Sequence, residues 1–227
     1  MDKNPPAVIV IILVLIGLFV FSNLQADAGH LVISQIQITG GTGKTTNDFV
    51  EIYNPTISDI DLKGLRLVKR TKTGTTDTLM KSWTSSTIVK ARGFYLWANS
   101  GFTDISVPAD TTTTLSIADD NGVALRNGPN DTGTIIDSVA WGLATNIFIE
   151  GSVFATNPSA NQILERSPGG DAGNGNDTDA NEIDFFLQTS GQPRNSQSQI
   201  LPIATPIFST IPSTSFTPTP TLNSTPS

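Results

Sequence analysis

The stretch Phe49-Val50-Glu51-Ile52-Tyr53-Asn54-Pro55 is the part of this chain that best decides its fold. Five residues typical of strands run up to an Asn-Pro pair. Pro55 ends a strand because it has no N–H to donate to the ladder and because it restrains the backbone of Asn54 before it. We therefore read the stretch as one short strand followed by a turn.

The neighbouring stretches have the same form. In residues 32–38 the side chains should point alternately to the two faces of a strand. Val32 and Ile36 then share one face, while Gln35 and Gln37 share the other. Further short runs at 65–67, 94–98, 115–118, 123–126 and 134–141 are separated by Gly, Pro, Asn and Asp. Asn121-Gly122 between two alternating runs is a strong hairpin signal. This spacing predicts an all-β sandwich or barrel.

Several blocks in this order resemble the lamin tail domain in its bacterial form. They are Asp48 to Pro55, Asp61 to Leu67, Lys90 to Leu96, Asp119 to Leu125, Ile136 to Gly142, Leu164-Glu165-Arg166, Asp184-Phe185 and Pro193 to Ser196. The resemblance covers about residues 31 to 196 and implies an immunoglobulin-like β-sandwich. In animal lamins this domain is a docking surface for protein and nucleic-acid partners, whereas bacterial members are exported and mostly of undefined role. The resemblance therefore implies a fold, and it does not name an activity.

The composition excludes most catalytic templates. There is no cysteine, so thiolate nucleophiles, disulfides and Cys-ligated zinc are ruled out. His30, just after the hydrophobic segment, is the only histidine, and a Ser-His-Asp triad or a two-histidine metal site would need more than that. Asp137 stands among apolar neighbours, and we expect a buried carboxylate that accepts backbone N–H groups.

The N-terminus carries an export signal. Residues 7–21 (AVIVIILVLIGLFVF) contain no charged or strongly polar side chain. Ala26-Asp27-Ala28 follows at signal-peptidase distance, which favours cleavage near Ala28. Alternatively, residues 5–24 are long enough for a permanent membrane-spanning helix. Both readings place the rest of the chain outside the cytoplasm, either anchored or secreted.

We expect three parts along the chain. Residues 1–28 are the signal peptide or membrane anchor, 29–196 the sandwich domain, and 197–227 a disordered spacer rich in Pro, Thr and Ser. The spacer has too little apolar surface to offset the entropy of ordering it.

A basic stretch interrupts an acidic chain. The net charge is −7, which argues against broad binding to nucleic acid. Residues 63–92 nevertheless hold eight basic residues and one acidic residue, a local sum of 8 − 1 = +7. The parity of residues 65–70 predicts that Arg66 and Arg70 point away from a core that buries Leu65 and Leu67. We predict a positive face that meets an anionic cell-surface polymer or a protein, formed by Arg66, Lys69, Arg70, Lys72 and Arg92.

An acidic loop at residues 168–184 is the one candidate metal site, with no other cofactor expected. Hard oxygen ligands on a glycine-rich loop are what Ca²⁺ prefers. Asp177-x-Asp179-x-Asn181 begins like an EF-hand loop, but Glu182 stands where glycine is required. The candidate ligands of a calcium site of another type are Asp171, Asp177, Asp179 and Asn181.

These observations favour a binding, adhesion or scaffolding module of the cell envelope without catalytic activity, attached to the membrane through residues 7–21 if they are retained. Two alternatives remain. A calcium-dependent binder of carbohydrate or peptide would use the acidic loop, and a hydrolase would use two carboxylates. No small-molecule substrate is evident from the sequence.

Overall fold

The computed structural model describes residues 28–202 as an all-β domain. The predicted N-terminal hydrophobic helix, which is the predicted signal peptide or anchor, and most of the predicted spacer lie outside these residues. Within them, no helix is long and apolar enough to cross a bilayer. The chain remains packed beyond residue 196, because Leu201 is buried and its N–H donates to the carbonyl of Arg92 at 3.0 Å.

Twelve strands and two short helical turns make up the described chain. In order they are β1 (Val32–Gln37), β2 (Phe49–Tyr53), β3 (Ile60–Asp61), β4 (Leu65–Arg70), β5 (Thr78–Ser82), β6 (Ile88–Val89), β7 (Phe94–Asn99), β8 (Thr111–Thr113), β9 (Gly122–Asn127), β10 (Thr134–Ala140), β11 (Ile163–Arg166), a 3₁₀ turn (Gly170–Ala172), α1 (Asn181–Asp184) and β12 (Phe185–Gln188).

The strands form two main sheets that pack as a sandwich. The larger sheet has the order β12-β11-β1-β2-β7-β8, and only the β7–β8 pair is parallel. The smaller sheet has the order β10-β9-β4-β5, and β3 pairs with β6 separately. The main core lies between the two sheets and includes Val50 and Trp97 from one and Leu67 and Leu125 from the other. The predicted burial of Leu65 and Leu67 is confirmed.

A bulge in β1 corrects the predicted alternation. The register against β2 shifts between Ile33 and Gln35, so Ile33 joins Ile36 in the main core. Val32 instead packs with Tyr53 in a separate cluster. The prediction that Val32 shares the face of Ile36 was therefore wrong, since one extra residue in a strand reverses the parity of the residues before it. Gln35 keeps its predicted place on the opposite side from Ile36.

The outer face of the larger sheet is also covered. Phe49, Leu96 and Ile163 form a second apolar cluster, against which Phe102 and Val107 pack from the loop between β7 and β8. The strand interiors of β1, β2 and β7 are therefore buried on both sides. This covering leaves room for a groove, described below.

Candidate functional site

The five predicted cations do not form one free face. Four of them are partly buried, and each donates to a different acceptor. The acceptors are the Gly128 carbonyl for Arg66, the Ser116 carbonyl for Lys69, the Asp120 carboxylate at 3.2 Å for Lys72, and the Pro55 carbonyl at 2.9 Å for Arg92. A polyanion would have to compete with these partners.

Arg70 is a clear correction, because it is buried rather than exposed. Its Nε lies 2.6 Å from Asp77 Oδ1, and its guanidinium stands over the ring of Phe148, 5.2 Å from the centroid. Arg126 approaches the other oxygen of Asp77 at 2.6 Å. Alternation along β4 correctly places Arg70 on the face opposite to Leu65 and Leu67. That face does not meet water, however, because Phe148 covers it. Parity alone cannot show whether a face meets water.

The two arginines determine the charge state of Asp77. Burial alone would raise the pKa of this carboxyl group. Hydrogen bonds from the backbone N–H of Asp131 and from Arg70 and Arg126 outweigh burial and hold the pKa below its ordinary value. The result is an ionic cluster within one sheet, with the structural role of holding Arg70 and Arg126 in place.

The four predicted calcium ligands do not meet at one point, although Asp177 and Asn181 both lie close to Glu150. Asp171 and Asp179 are exposed. Asp177 lies 3.3 Å from Arg166 Nη1, and Asn181 uses its Oδ1 to accept the backbone N–H of Ala140 at 3.0 Å. Among residues 28–202, the one group of three acidic residues whose oxygens lie within 4.8 Å of one another contains Asp177 but neither Asp171 nor Asp179. In the described structure the four candidate ligands therefore do not share one coordination centre, and calcium binding by the acidic loop stays a prediction.

That group consists of Asp137, Glu150 and Asp177, and it surrounds the fully buried Arg166. Arg166 Nη2 lies 2.6 Å from Asp137 Oδ1, and Arg166 Nε donates to the carbonyl of Ile33 at 2.9 Å. Asp137 Oδ2 accepts the N–H of Ile33, which confirms the expected buried carboxylate bonded to the backbone. These contacts join β1, β10 and β11.

Burial raises the pKa of Asp137 to about 6, although the charge of Arg166 lowers it. Burial, together with the nearby charge of Asp137, raises the pKa of Glu150 to about 8. Glu150 accepts the N–H of Ser138 at 2.9 Å, and β10 is an edge strand of the smaller sheet. Glu150 and Asn181 thus occupy backbone groups that would otherwise be open to another strand. The cluster reads as a structural clamp.

A polar groove on the outer face of the larger sheet is the best candidate site. Its cavity has a volume of about 650 Å³ and lies between Ser106-Val107 and residues 188–194. A second cavity of about 300 Å³ shares Ser106 and Gly191 with it, so the two are continuous. Phe102 and Lys44 line the second cavity. The groove therefore combines polar side chains with one partly exposed aromatic ring.

The floor of the groove carries two buried acceptors side by side. Gln35 on β1 and Glu165 on β11 are direct cross-strand partners, with relative exposures of 1% and 4%. Gln35 Nε2 donates to the carbonyl of Gln192 at 3.3 Å, which fixes the orientation of the amide. Gln35 Oε1 then has no hydrogen-bond partner within the described domain. A buried acceptor without a partner is costly, unless a bound molecule supplies a donor.

Glu165 adds a carboxylate to the floor, and the cation Arg194 lines the same groove. Glu165 Oε1 accepts the N–H of Gly170 at 2.9 Å and the amide of Asn174 at 3.2 Å. No salt bridge to Glu165 occurs within residues 28–202. The exposed Asp171 lines the same groove. The floor is therefore rich in acceptors.

Arg194 holds one wall of the groove. Its Nη2 lies 3.0 Å from Glu51 Oε1 and 2.7 Å from Asn174 Oδ1, and its guanidinium stacks 3.9 Å from the ring centroid of Phe94. Burial raises the pKa of Glu51 even though Arg194 lowers it. These contacts with Glu51, Asn174 and Phe94 fix the Arg194 side chain, which holds residues 188–194 over the sheet.

Sequence reasoning missed this groove, although it contained one signal for it. Gln35 and Gln37 alternate with core residues on a strand that also has a buried outer side. Glutamines buried at such positions need partners, which points to a covering segment or a ligand. The role of Arg194 had no comparable signal, since it depends on the path of the C-terminal segment.

The fold and the site together define a β-sandwich domain with a polar groove and no evident catalytic constellation in the part that the structure describes. The family model of the Lamin Tail Domain matches residues 25–143. The chain therefore belongs to the lamin tail domain family. The matched residues include β1 and Gln35, whereas Glu165 and Arg194 lie beyond them. A search of curated proteins finds no match.

Proposed function

We propose that this protein is an exported binding module, without catalytic activity, that holds a hydroxyl-rich glycan of the cell surface in the groove. The observation that carries the proposal is the pair of adjacent buried acceptors, Gln35 and Glu165, on the groove floor. Membership of a family of immunoglobulin-like domains without enzymatic activity supports a binding or scaffolding role.

The chemistry of the floor selects the ligand class. Gln35 Oε1 lacks a donor, and the carboxylate of Glu165 can accept further hydrogen bonds beyond the two that it has. Neighbouring hydroxyl groups of a sugar supply two donors at suitable spacing. The charges of Glu165 and Asp171 would repel an anionic polymer. Phe102, at the other end of the groove, offers an apolar surface for the C–H face of a sugar ring. A neutral glycan fits these features better than a polyanion does.

Export, and anchoring through residues 7–21, belong to the same proposal. Ala28 is already part of the folded domain, because its N–H donates to the carbonyl of Gly175 at 2.8 Å. Cleavage directly after Ala28 would separate this residue from the domain that it joins. This supports retention of the N-terminal segment over cleavage at that position.

The test is glycan binding by the full-length chain in detergent micelles. A panel of neutral and acidic oligosaccharides is titrated by calorimetry against the wild type and Gln35→Met. The substitution removes the acceptor and keeps the side-chain length, so binding should fall about tenfold or more, the equivalent of one hydrogen bond of about 1.4 kcal/mol. Gln197→Met, at an exposed position outside the groove, is the matched control and should bind normally.

Two further arms separate the alternatives. Adding a chelator should leave binding unchanged, whereas loss of binding would favour the calcium-dependent module. Chromatography of the oligosaccharide after prolonged incubation should show no cleavage, whereas shortened products would favour the hydrolase. If the wild type binds no glycan in the panel, the proposed function is wrong.

A further inference from the structure

Both ends of the described chain leave the domain at one end of the sandwich, here called the terminal end. Ala28 packs against a small apolar cluster that contains Val32, Tyr53 and Leu201. Leu201 reaches the same place from the other terminus, and its N–H donates to the Arg92 carbonyl at 3.0 Å. The N-terminal segment and the C-terminal segment therefore start from adjacent points.

The terminal end also exposes large apolar side chains. Ile57 is 79% exposed and Ile200 is 52% exposed. Both line a shallow groove of about 280 Å³ together with Ala91 and Pro202. Lys90, with a side chain 65% exposed, stands beside this groove and pairs with Asp59 at 2.9 Å. Apolar side chains with a cation close by are typical of surfaces that meet lipid headgroups.

The length of chain to the apolar run limits how far this surface lies from a bilayer. Seven residue steps separate Phe21, the last residue of the run, from Ala28. Even fully extended, they span at most about 25 Å. A domain anchored by residues 7–21 is therefore tethered with its terminal end close to the membrane.

We propose that the terminal end rests on the lipid bilayer, with Ile57 and Ile200 inserted at the level of the headgroups. The inference rests on the anchoring in the proposed function. It adds an orientation: the glycan groove begins beside the membrane-facing surface, because a cavity lined by Asp171, Arg194 and Ile200 joins the two. From there the groove extends over the outer face of the larger sheet. A second copy of the chain, or another segment of the same chain, is the competing occupant of this surface.

The exposed apolar residues near the opposite end supply matched controls. Leu143 is 65% exposed and its N–H bonds to Asp120, which pairs with Lys72 just past the last residue of β4. Lys69 lies at the same end of β4 and donates to the carbonyl of Ser116. The next residue, Ile117, donates its N–H to Asp48, which directly precedes β2. Leu143 is therefore at the end of the sandwich where β2 begins. The terminal end is the one where β2 stops, at Tyr53.

The absence of cysteine allows a direct test by single-site labelling. Ile57→Cys and Leu143→Cys are each labelled with an environment-sensitive fluorophore in the full-length chain. The chain is reconstituted in vesicles of phosphatidylcholine and phosphatidylglycerol that contain spin-labelled quencher lipids. The label at 57 should be quenched several-fold more strongly by the lipids than the label at 143, and it should be protected from aqueous iodide.

Other outcomes overturn the inference in distinguishable ways. Equal lipid quenching at 57 and 143 would contradict the proposed orientation and leave the anchor intact. Protection of the label at 57 from both quenchers would show that protein covers this surface. Failure of the chain to float with the vesicles would remove the anchoring, and the orientation with it, without bearing on glycan binding by the groove.

Discussion

Replacing Arg166 with methionine should destabilise the domain severely. Arg166 is fully buried, and its Nη2 is 2.6 Å from Asp137 and its Nη1 3.3 Å from Asp177. Methionine fills much of the same volume but leaves these carboxylates without their cation. It also leaves the Ile33 carbonyl without its donor. Removal of one partner from a buried ion pair costs about 3–5 kcal/mol. That is a large part of the roughly 5–15 kcal/mol that stabilises a domain.

The loss should be partly reversed by a second substitution. Asp137→Asn removes the stranded charge, while the amide oxygen still accepts the N–H of Ile33. The double variant should therefore lose about 1–3 kcal/mol less than the sum of the two single variants, as expected for residues in direct contact. The single Arg166→Met variant should also lose less stability at pH 5 than at pH 8, since the buried carboxyl groups protonate at the lower pH.

The assay is urea unfolding of the full-length chain in micelles, followed by tryptophan fluorescence. Arg66→Met is the matched control, because Arg66 is only half-buried and donates to the backbone carbonyl of Gly128. The control should cost less than about 1 kcal/mol, as is usual for positions outside the core. If Arg166→Met costs no more than Arg66→Met, or if Asp137→Asn does not rescue it, the cluster is not the structural clamp described above.

Three further predictions concern the same domain. Burial raises the pKa of Asp48 to about 7 and that of Asp137 to about 6, while both are near 4 in the unfolded chain. As the pH rises, the unfolded chain therefore releases these protons before the folded domain does. The free energy of unfolding should fall as the pH is raised from 5 to 8, and a higher urea midpoint at pH 8 would refute this. Gly142→Ala should destabilise by more than about 1 kcal/mol in the same assay, because φ at Gly142 is +66° and a Cβ atom would clash with Asn157 Oδ1. An unchanged urea midpoint would contradict that crowding. Melting temperatures in millimolar Ca²⁺ and in chelator should be equal, since the predicted ligands do not converge, and a clear rise with Ca²⁺ would show that the loop closes on the ion.

Local pattern was enough to predict most of the longer strands and the core face of the central ones. The predicted run at 115–118 was wrong, because the strand lies at Thr111–Thr113 and pairs with β7, so Asn121-Gly122 does not close a hairpin. Leu65 and Leu67 are buried as their parity predicts, and the stretch from Phe49 to Tyr53 is a strand that stops before Asn54-Pro55. Such features depend on residues that are neighbours in sequence. The sequence therefore carries them directly, and the family resemblance assembles them into the right fold.

What pattern could not predict depends on contacts between distant segments. Arg70 is buried because Phe148 packs on its face of the sheet, and Val32 changes face because of a bulge. The groove arises where residues 188–194 cross β1, more than 150 positions away in sequence. Neither parity nor composition of one stretch reports which other stretch will cover it. These sites follow from tertiary packing.

The central claim is that the groove, rather than the basic stretch, binds the ligand. The most direct measurement is a two-dimensional ¹H–¹⁵N NMR titration of the full-length chain in micelles with a glycan selected from the panel, following side-chain amide and guanidinium signals. We expect the largest shifts at the side-chain amides of Gln35, Gln188 and Gln192, which line the groove, and little change at Arg66. Shifts confined to Arg66 and its basic neighbours, with the Gln35 amide unmoved, would contradict it.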